Sequence, residues 1–542
     1  MSSSFYEKLS RRRLFKYGVA GLTGLGAYRG LRALGTADED QESLVVQPTD
    51  MGGIKVELPP YILLSPTKLG GGTHAVNTQS MKQLAWISYW NYGDTCPISH
   101  HLCAYPAEDG KDPFNGFEFI NSAQGGENVL MYGIPTRIKE MGLLDPIYGQ
   151  GNQLYRVRYD GKTGQMELME NVAETTGVGL GVHTTVYPDA SGFSCADGQK
   201  DVAAFFSRAR GPSEKTKVLA AFKADWIPKS PYLGESWMKG GTIRLQRLTP
   251  SKEEAGGLHA ADGYYNYRGS KGNKINYEMA PMAELLVERG QIPGDAPQSL
   301  TGLDFALHDP RDRFSVLGLR MCGGGIILDR QNWEPVCFIS ADENGKDNYP
   351  LKKVSSTPDT WEVTLDGVSN PIHESGFNPT IDPPVFCMMN NLRANNVAIM
   401  DVRNADPRQW KRQTYLRDKE WVGEYPSPFH IGYSADGTKC FFTVLRPKPM
   451  RSDIFVADTS TWKVIKKFRN VGVDLQTLAV SPCGKFVFAI FSGFQRLESG
   501  IFVFRQDTLE PLGYMPNFGG HHDCVLVPKN TQELKFSRVC QV

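Results

Sequence analysis

The chain has 542 residues and a formal net charge of zero, with 59 basic residues matching 59 acidic ones. That balance removes the broad electrostatic attraction on which nucleic-acid binding rests, so no nucleic-acid partner is expected. Glycine (56) and proline (34) are frequent, aromatics make up 11%, and long helical periodicities are scarce, a mixture that points to an all-β protein rich in turns. The ten cysteines stand singly, without CxxC or zinc-type spacing, and predict neither a zinc site nor a disulfide framework.

In chain order, Ser10-Arg11-Arg12-Arg13-Leu14-Phe15-Lys16 matches the twin-arginine export pattern. The weakly apolar, Gly-rich run Tyr17 to Ala27 that follows is too short to span a bilayer stably. Arg29 and Arg32 close it, and Ala33 to Ala37 offers small residues for cleavage. Residues 1–37 are therefore expected to be a signal peptide that sends folded protein to the periplasm through the twin-arginine export machinery. The alternative is a basic amphipathic arm on a cytosolic protein. Residues 38–58, acidic, polar and proline-ended, read as a linker, and residues 59–542 as one domain.

The clearest internal repeat lies near the end. Phe429-His430-Ile431-Gly432-Tyr433-Ser434-Ala435-Asp436-Gly437 leads into Cys440 to Val444, a basic loop, Asp453 to Asp458, and Thr459 to Lys467. The pattern returns from Thr477 through Ser481 and Gly484, Phe486 to Ile490, Gly500 to Phe504 and Asp507 to Tyr514, and a third copy starts at His522. The unit is about 46 residues long, four strands separated by turns, which is the length of a propeller blade. Looser copies begin at His183 and His373. An all-β, seven-bladed β-propeller is predicted, with insertions such as 205–275 swelling the middle blades. Met279 to Gly290 is the one helical-looking stretch.

Blade position gives meaning to the ten histidines. His183, His430 and His522 each stand at the start of a blade, six residues before Asp189, Asp436 and Pro528, and His373 stands six before Pro379. First strands line a propeller's central channel, so these positions face one another around the axis. A ring of neutral imidazoles there suits copper, with zinc second. His100 and His101 join the set, although strand neighbours point to opposite faces and both could serve one centre only where the backbone is irregular. His74, in a glycine loop, is a weaker candidate. His259 and His308 lie in polar, loop-like surroundings and read as surface residues.

From about Tyr61 to Val527 the chain resembles the catalytic propeller domain of nitrous-oxide reductase. The likeness is carried by Gly72 through Leu84, the His100-His101 pair, His183, His373-Glu374-Ser375-Gly376-Phe377-Asn378, Pro428-Phe429-His430 and His522-Asp523. Six of that family's seven cluster histidines fall on His100, His101, His183, His373, His430 and His522; the seventh falls at or beside Gln476, which is no imidazole. The sequence stops fifteen residues after Val527, which leaves no room for that family's second, cupredoxin domain. It therefore resembles more closely the thiocyanate dehydrogenases, which keep the propeller without the cupredoxin. That resemblance implies a copper oxidoreductase with up to three copper ions held by these six histidines and an aspartate, best matched by Asp304. It implies Lys68 and Glu278 as catalytic residues, the lysine holding the anion and the glutamate accepting a proton. The expected partners are a small inorganic anion and a periplasmic electron acceptor, a c-type cytochrome; a homodimer is compatible with the chain. The alternatives are a nitrous-oxide-reductase-like copper propeller with another small-anion or gas substrate and a non-catalytic metal-binding periplasmic propeller.

Overall fold

The computed structural model describes residues 53–534 except 55, 68–71, 90–97, 125–152, 179–182, 198–200, 230–239, 249–300, 369–371, 380–384, 391–394, 422–426, 448–449, 473–474, 492–499 and 517–522. Their strands form seven sheets in chain order. Blade 1 holds β1 (Ile62–Thr67), β2 (Gly72–Asn77) and β3 (Lys82–Ser88), and blade 2 holds β4 (Ile98–Ala104), β5 (Gly116–Gln124), β6 (Gln153–Asp160) and β7 (Gln165–Asn171). Blade 3 starts with β8 (His183–Val186), β9 (Gly192–Asp197), β10 (Val202–Ser207) and β11 (Val218–Pro228), and extends outward through β12 (Gly241–Leu248). Blade 4 holds β13 (Leu303–His308), β14 (Phe314–Leu319), β15 (Gly324–Asp329), β16 (Pro335–Ser340) and β17 (Asn348–Pro350). The chain then returns to blade 3, where β18 (Lys352–Ser356) and β19 (Asp359–Leu365) complete a seven-stranded sheet.

Blade 5 is β20 (Ser375–Phe377), β21 (Val385–Asn390), β22 (Asn396–Asp401) and β23 (Lys411–Leu416). Blade 6 is β24 (Ser427–Tyr433), β25 (Lys439–Pro447), β26 (Met450–Asp458) and β27 (Lys463–Gly472), and blade 7 is β28 (Leu475–Val480), β29 (Phe486–Phe491), β30 (Gly500–Arg505) and β31 (Pro511–Pro516). The short β32 (Val525–Leu526) pairs with β1 and becomes the first strand of blade 1. One sheet is thus built from both ends of the domain, which leaves the ring without an open end.

Burial on both faces explains the apolar runs in the sequence. In β29 (FVFAIF), Phe486, Phe488 and Ile490 pack toward blade 1, while Val487, Ala489 and Phe491 pack toward blade 6. β14 divides in the same way, Phe314 and Val316 toward blade 5 and Leu317 and Leu319 toward blade 3. Neighbours on a strand point to opposite faces, so a strand covered on both sides reads as continuous hydrophobicity. Each hydrophobic cluster fills one seam between adjacent blades, and together they close a seven-bladed ring.

The repeat turns behave as their residues dictate. Gly437 and Gly484 sit at equivalent turns with φ of 71° and 70°, a backbone region that favours glycine. Their amides bond the carbonyls of Ser434 and Ser481 at 2.8 and 2.9 Å.

Two boundaries differ from the sequence reading. The expected insertion from residue 205 is not one in its first part, because β10 and β11 are regular strands of blade 3; the added strands are β12, β18 and β19. The helical-looking 279–290 stretch lies outside the described residues. At the other end, the expected linker is partly packed: Leu58 is buried against blade 7, Ile54 and Val56 lie on the same cluster, and Gly53 bridges to Tyr514. Alternation of apolar side chains at 54, 56 and 58 is the reason, since an extended segment then offers one apolar face.

Candidate functional site

Six of the seven inner strands, or the residues just ahead of them, carry residues singled out in the sequence. His100 and His101 lie in β4, His183 opens β8, Asp304 lies in β13, His430 in β24 and Gln476 in β28. His373 stands two residues ahead of β20. Lys68, Glu278 and His522 lie outside the described residues, as do the side chains of His100 and Gln476.

Four of these inner strands share an irregularity. Pairing between β4 and β5 jumps from Ser99↔Ala123 to Leu102↔Asn121, so two residues, His100 and His101, oppose Ser122 alone. In blade 6 it jumps from Pro428↔Val444 to Ile431↔Phe442, and Phe429 and His430 oppose Thr443. In blades 4 and 7 the register shifts at Asp304 and at Gln476. A bulge adds one residue to a strand and re-aims the side chains beside it. It also takes an amide out of the ladder, and that amide needs a new acceptor. The residue across the bulge supplies it: His430 N–H donates to Thr443 Oγ1 at 3.0 Å, and His101 N–H donates to Ser122 Oγ at 3.2 Å. Asn121 Nδ2 donates in turn to the His101 carbonyl at 2.9 Å. The irregular backbone required for His100 and His101 to act together is therefore present in β4.

The described side chains meet in one buried cluster. His101 and His183 lie edge to face with ring centroids 4.2 Å apart, and His373 and His430 have centroids 5.9 Å apart. Between them stands Glu374, 1% exposed. Its Oε1 is 3.8 Å from His183 Nε2, 3.7 Å from His373 Nε2 and 3.5 Å from His430 Nδ1. His373 and Glu374 occupy an irregular segment, so adjacency in sequence does not force them to opposite faces. Asp304 is 3.4 Å from His183 Nδ1 and 3.6 Å from Nη1 of the buried Arg320.

Two of the rings are hydrogen-bonded through Nδ1 to a backbone carbonyl of an adjacent blade, and a third has a carboxylate of an adjacent blade near its Nδ1. His183 Nδ1 is 2.6 Å from the Asp304 carbonyl, His373 Nδ1 is 3.3 Å from the Phe429 carbonyl, and His101 Nδ1 is 3.5 Å from Asp523 Oδ2. Asp523 is itself fixed by the Leu102 amide at 3.0 Å. A proton held at Nδ1 leaves Nε2 with its lone pair, the arrangement that a metal-ligating histidine uses.

Burial sets the charge state. It holds His101 well below the ordinary histidine range, with His430 adding to the effect. Burial and then His101 bring His183 down to about 3, and burial followed by Arg320 lowers His373 strongly. Burial pushes Glu374 well above the usual carboxylate range and Asp523 up to about 6. At neutral pH His101, His183 and His373 are therefore uncharged donors.

This donor chemistry fits copper: buried neutral imidazoles, carboxylates among them, and two Glu374 oxygens without a hydrogen-bond partner among the described residues. Among the described residues, no three His, Cys, Asp or Glu side chains already stand in position to hold one metal ion. Sharing one would require the rings and Glu374 to draw together.

Two histidines are placed elsewhere. His308 is 2% exposed, a correction to its reading as a surface residue. Its nitrogens meet Ser194 Oγ at 2.9 Å and Ser315 Oγ at 2.8 Å, so its polar partners are a residue of the adjacent blade 3 and a cross-strand neighbour within blade 4. His74 stacks on Trp86 at 4.1 Å and meets Gln83 Oε1 at 2.8 Å. Glu374, Arg320 and Asp523 were not singled out as site residues; an acid directly after a blade-start histidine is the signal that could have drawn notice to Glu374 and Asp523. None of the eight described cysteines forms a disulfide.

Fold and site together define a seven-bladed β-propeller with a buried imidazole–carboxylate cluster on its inner strands. No family model matches the chain, and no curated protein matches it in sequence. Among solved structures it is similar to the periplasmic gluconolactonase PpgL of Pseudomonas aeruginosa (11% identity, 86% of this chain and 99% of that one, TM-score 0.47). Dihydro-heme d1 dehydrogenase NirN, solved in complex with DHE, aligns at 10% identity over 88% of this chain and 77% of that one, TM-score 0.42. Kuenenia stuttgartiensis hydrazine synthase aligns at 14% identity over 40% of this chain and 49% of that one, TM-score 0.30, so the chain spans about half the length of that relative. The matched structures thus include enzymes. With TM-scores below 0.5, the propeller assignment rests on the seven sheets and their seams rather than on these likenesses.

Proposed function

We propose that the protein is a periplasmic copper oxidoreductase of the thiocyanate dehydrogenase type. The observation that carries this reading is the cluster of four buried histidines from four blades, three of them kept neutral by burial and two of these, His183 and His373, turned by Nδ1 acceptors so that Nε2 faces the cluster. His101, His183, His373, His430 and Asp304, with His100 and His522 from the resemblance, would hold up to three copper ions. Bound copper would supply Lewis acidity and one-electron acceptance.

The substrate reading is thiocyanate, oxidised with water to cyanate, elemental sulfur, two protons and two electrons. The chain's own groups would arrange that chemistry. Asp523 and the Asp304 and Phe429 carbonyls hold the rings, Lys68 holds the anion, and Glu278 accepts a proton. The seams exclude water from behind the cluster. The electrons would leave to a c-type cytochrome, and the twin-arginine pattern at Arg11 to Lys16 supports a periplasmic location for the reaction.

Copper-loaded protein incubated with thiocyanate and a ferricytochrome c is expected to yield cyanate, with two equivalents of cytochrome reduced per cyanate. Copper-replete protein that forms no cyanate would overturn the thiocyanate assignment.

A further inference from the structure

Glu374 has no role in the resemblance, yet it sits where the imidazoles converge. Neither carboxylate oxygen has a hydrogen-bond partner among the described residues, and the side chain is 1% exposed. The nearest polar atoms are nitrogens of His183, His373 and His430, from blades 3, 5 and 6, at 3.5 to 3.8 Å. These separations are too long for hydrogen bonds. A carboxylate buried without donors is strongly disfavoured: it takes up a proton, or a cation occupies the space it faces. Asp304, another carboxylate of the cluster, already faces the Arg320 guanidinium at 3.6 Å. Asp304 and Asp523 each face one imidazole, whereas Glu374 faces three, from three blades.

We propose that Glu374 is an oxygen donor to the cation held by this cluster and that its carboxylate tunes the site toward a dication. The proposal rests on the copper reading above. Neutral imidazole serves Cu(I) and Cu(II) alike, whereas an anionic oxygen is a hard donor that favours Cu(II). Glu374 therefore raises Cu(II) affinity more than Cu(I) affinity, and so decides which oxidation state the resting site holds.

The test measures both affinities by competition, with bicinchoninate for Cu(I) and a chromophoric chelator for Cu(II), on the full-length wild type, Glu374→Gln and Glu374→Asp. Near-ultraviolet circular dichroism checks the fold. Glu374→Gln is expected to weaken Cu(II) binding about tenfold or more, in the range that loss of a group supporting a metal site produces. Cu(I) binding should change by less than about threefold, and the Cu(II) paramagnetic resonance spectrum should shift. Glu374→Asp should retain most of the Cu(II) affinity; it also carries the test, with a smaller change, if Glu374→Gln does not fold. Equal weakening of both ions, or no change in either, overturns the role of Glu374 alone. Wild-type protein that takes up neither ion overturns the copper reading and this role together.

Discussion

Blades 6 and 7 follow one another in the chain and share a plan, yet only one of them brings a described imidazole to the cluster. Both are four-stranded, both turn at a left-handed glycine, and both carry one extra residue in the first strand. In blade 6 the bulge holds His430, 0% exposed and 3.5 Å from Glu374, with its amide on Thr443. In blade 7 the bulge holds Gln476, and Ile490 pairs with the next residue, Thr477. The bulge thus belongs to the architecture, whereas the residue on it decides the chemistry.

The comparison can be broken most forcefully through the core, where the two blades should behave alike. Phe442 in blade 6 and Phe488 in blade 7 are both fully buried in their second strands. Replacing either by alanine should cost about 3–5 kcal/mol. Denaturant midpoints of the two variants should fall together, and a much smaller loss at Phe488 would mean that blade 7 packs differently.

The next effect separates the blades. His430→Ala should weaken copper uptake by about a hundredfold or remove one ion per chain, read by metal analysis after dialysis. Thr443→Val keeps the shape of the residue opposite the bulge but takes away the acceptor of the His430 amide. It should weaken copper binding about tenfold, with Thr443→Ser restoring it, in line with the weight of groups that orient ligands. No rescue by serine would separate the bulge from the site. The smallest change is a gain: Gln476→His should raise copper occupancy by up to one ion per chain. An unchanged occupancy would show that position 476 does not serve the site.

Much of this was legible in the sequence where repeat chemistry is strong. Ser434 to Gly437 and Ser481 to Gly484 marked two turns, and the apolar runs between them marked strands buried on both faces. His183, His373 and His430 stood out because blade period placed them alike, and the structure brings all three around Glu374. The bulges were not legible, since an extra residue in a strand shows only as a slip of phase. Glu374 and Arg320 escaped for a related reason: no period assigns a burial to residues in an irregular segment or a single 3-10 turn. His308 was misread because Ser194, the partner of its Nε2, is 114 residues away in sequence.

The inner-strand histidines are proposed to bind copper. Metal analysis of purified, copper-loaded and exhaustively dialysed protein tests this proposal most directly. The expected result is between one and three copper ions per chain in the wild type, reduced in His183→Ala and His373→Ala. Wild-type protein that emerges without copper would contradict it.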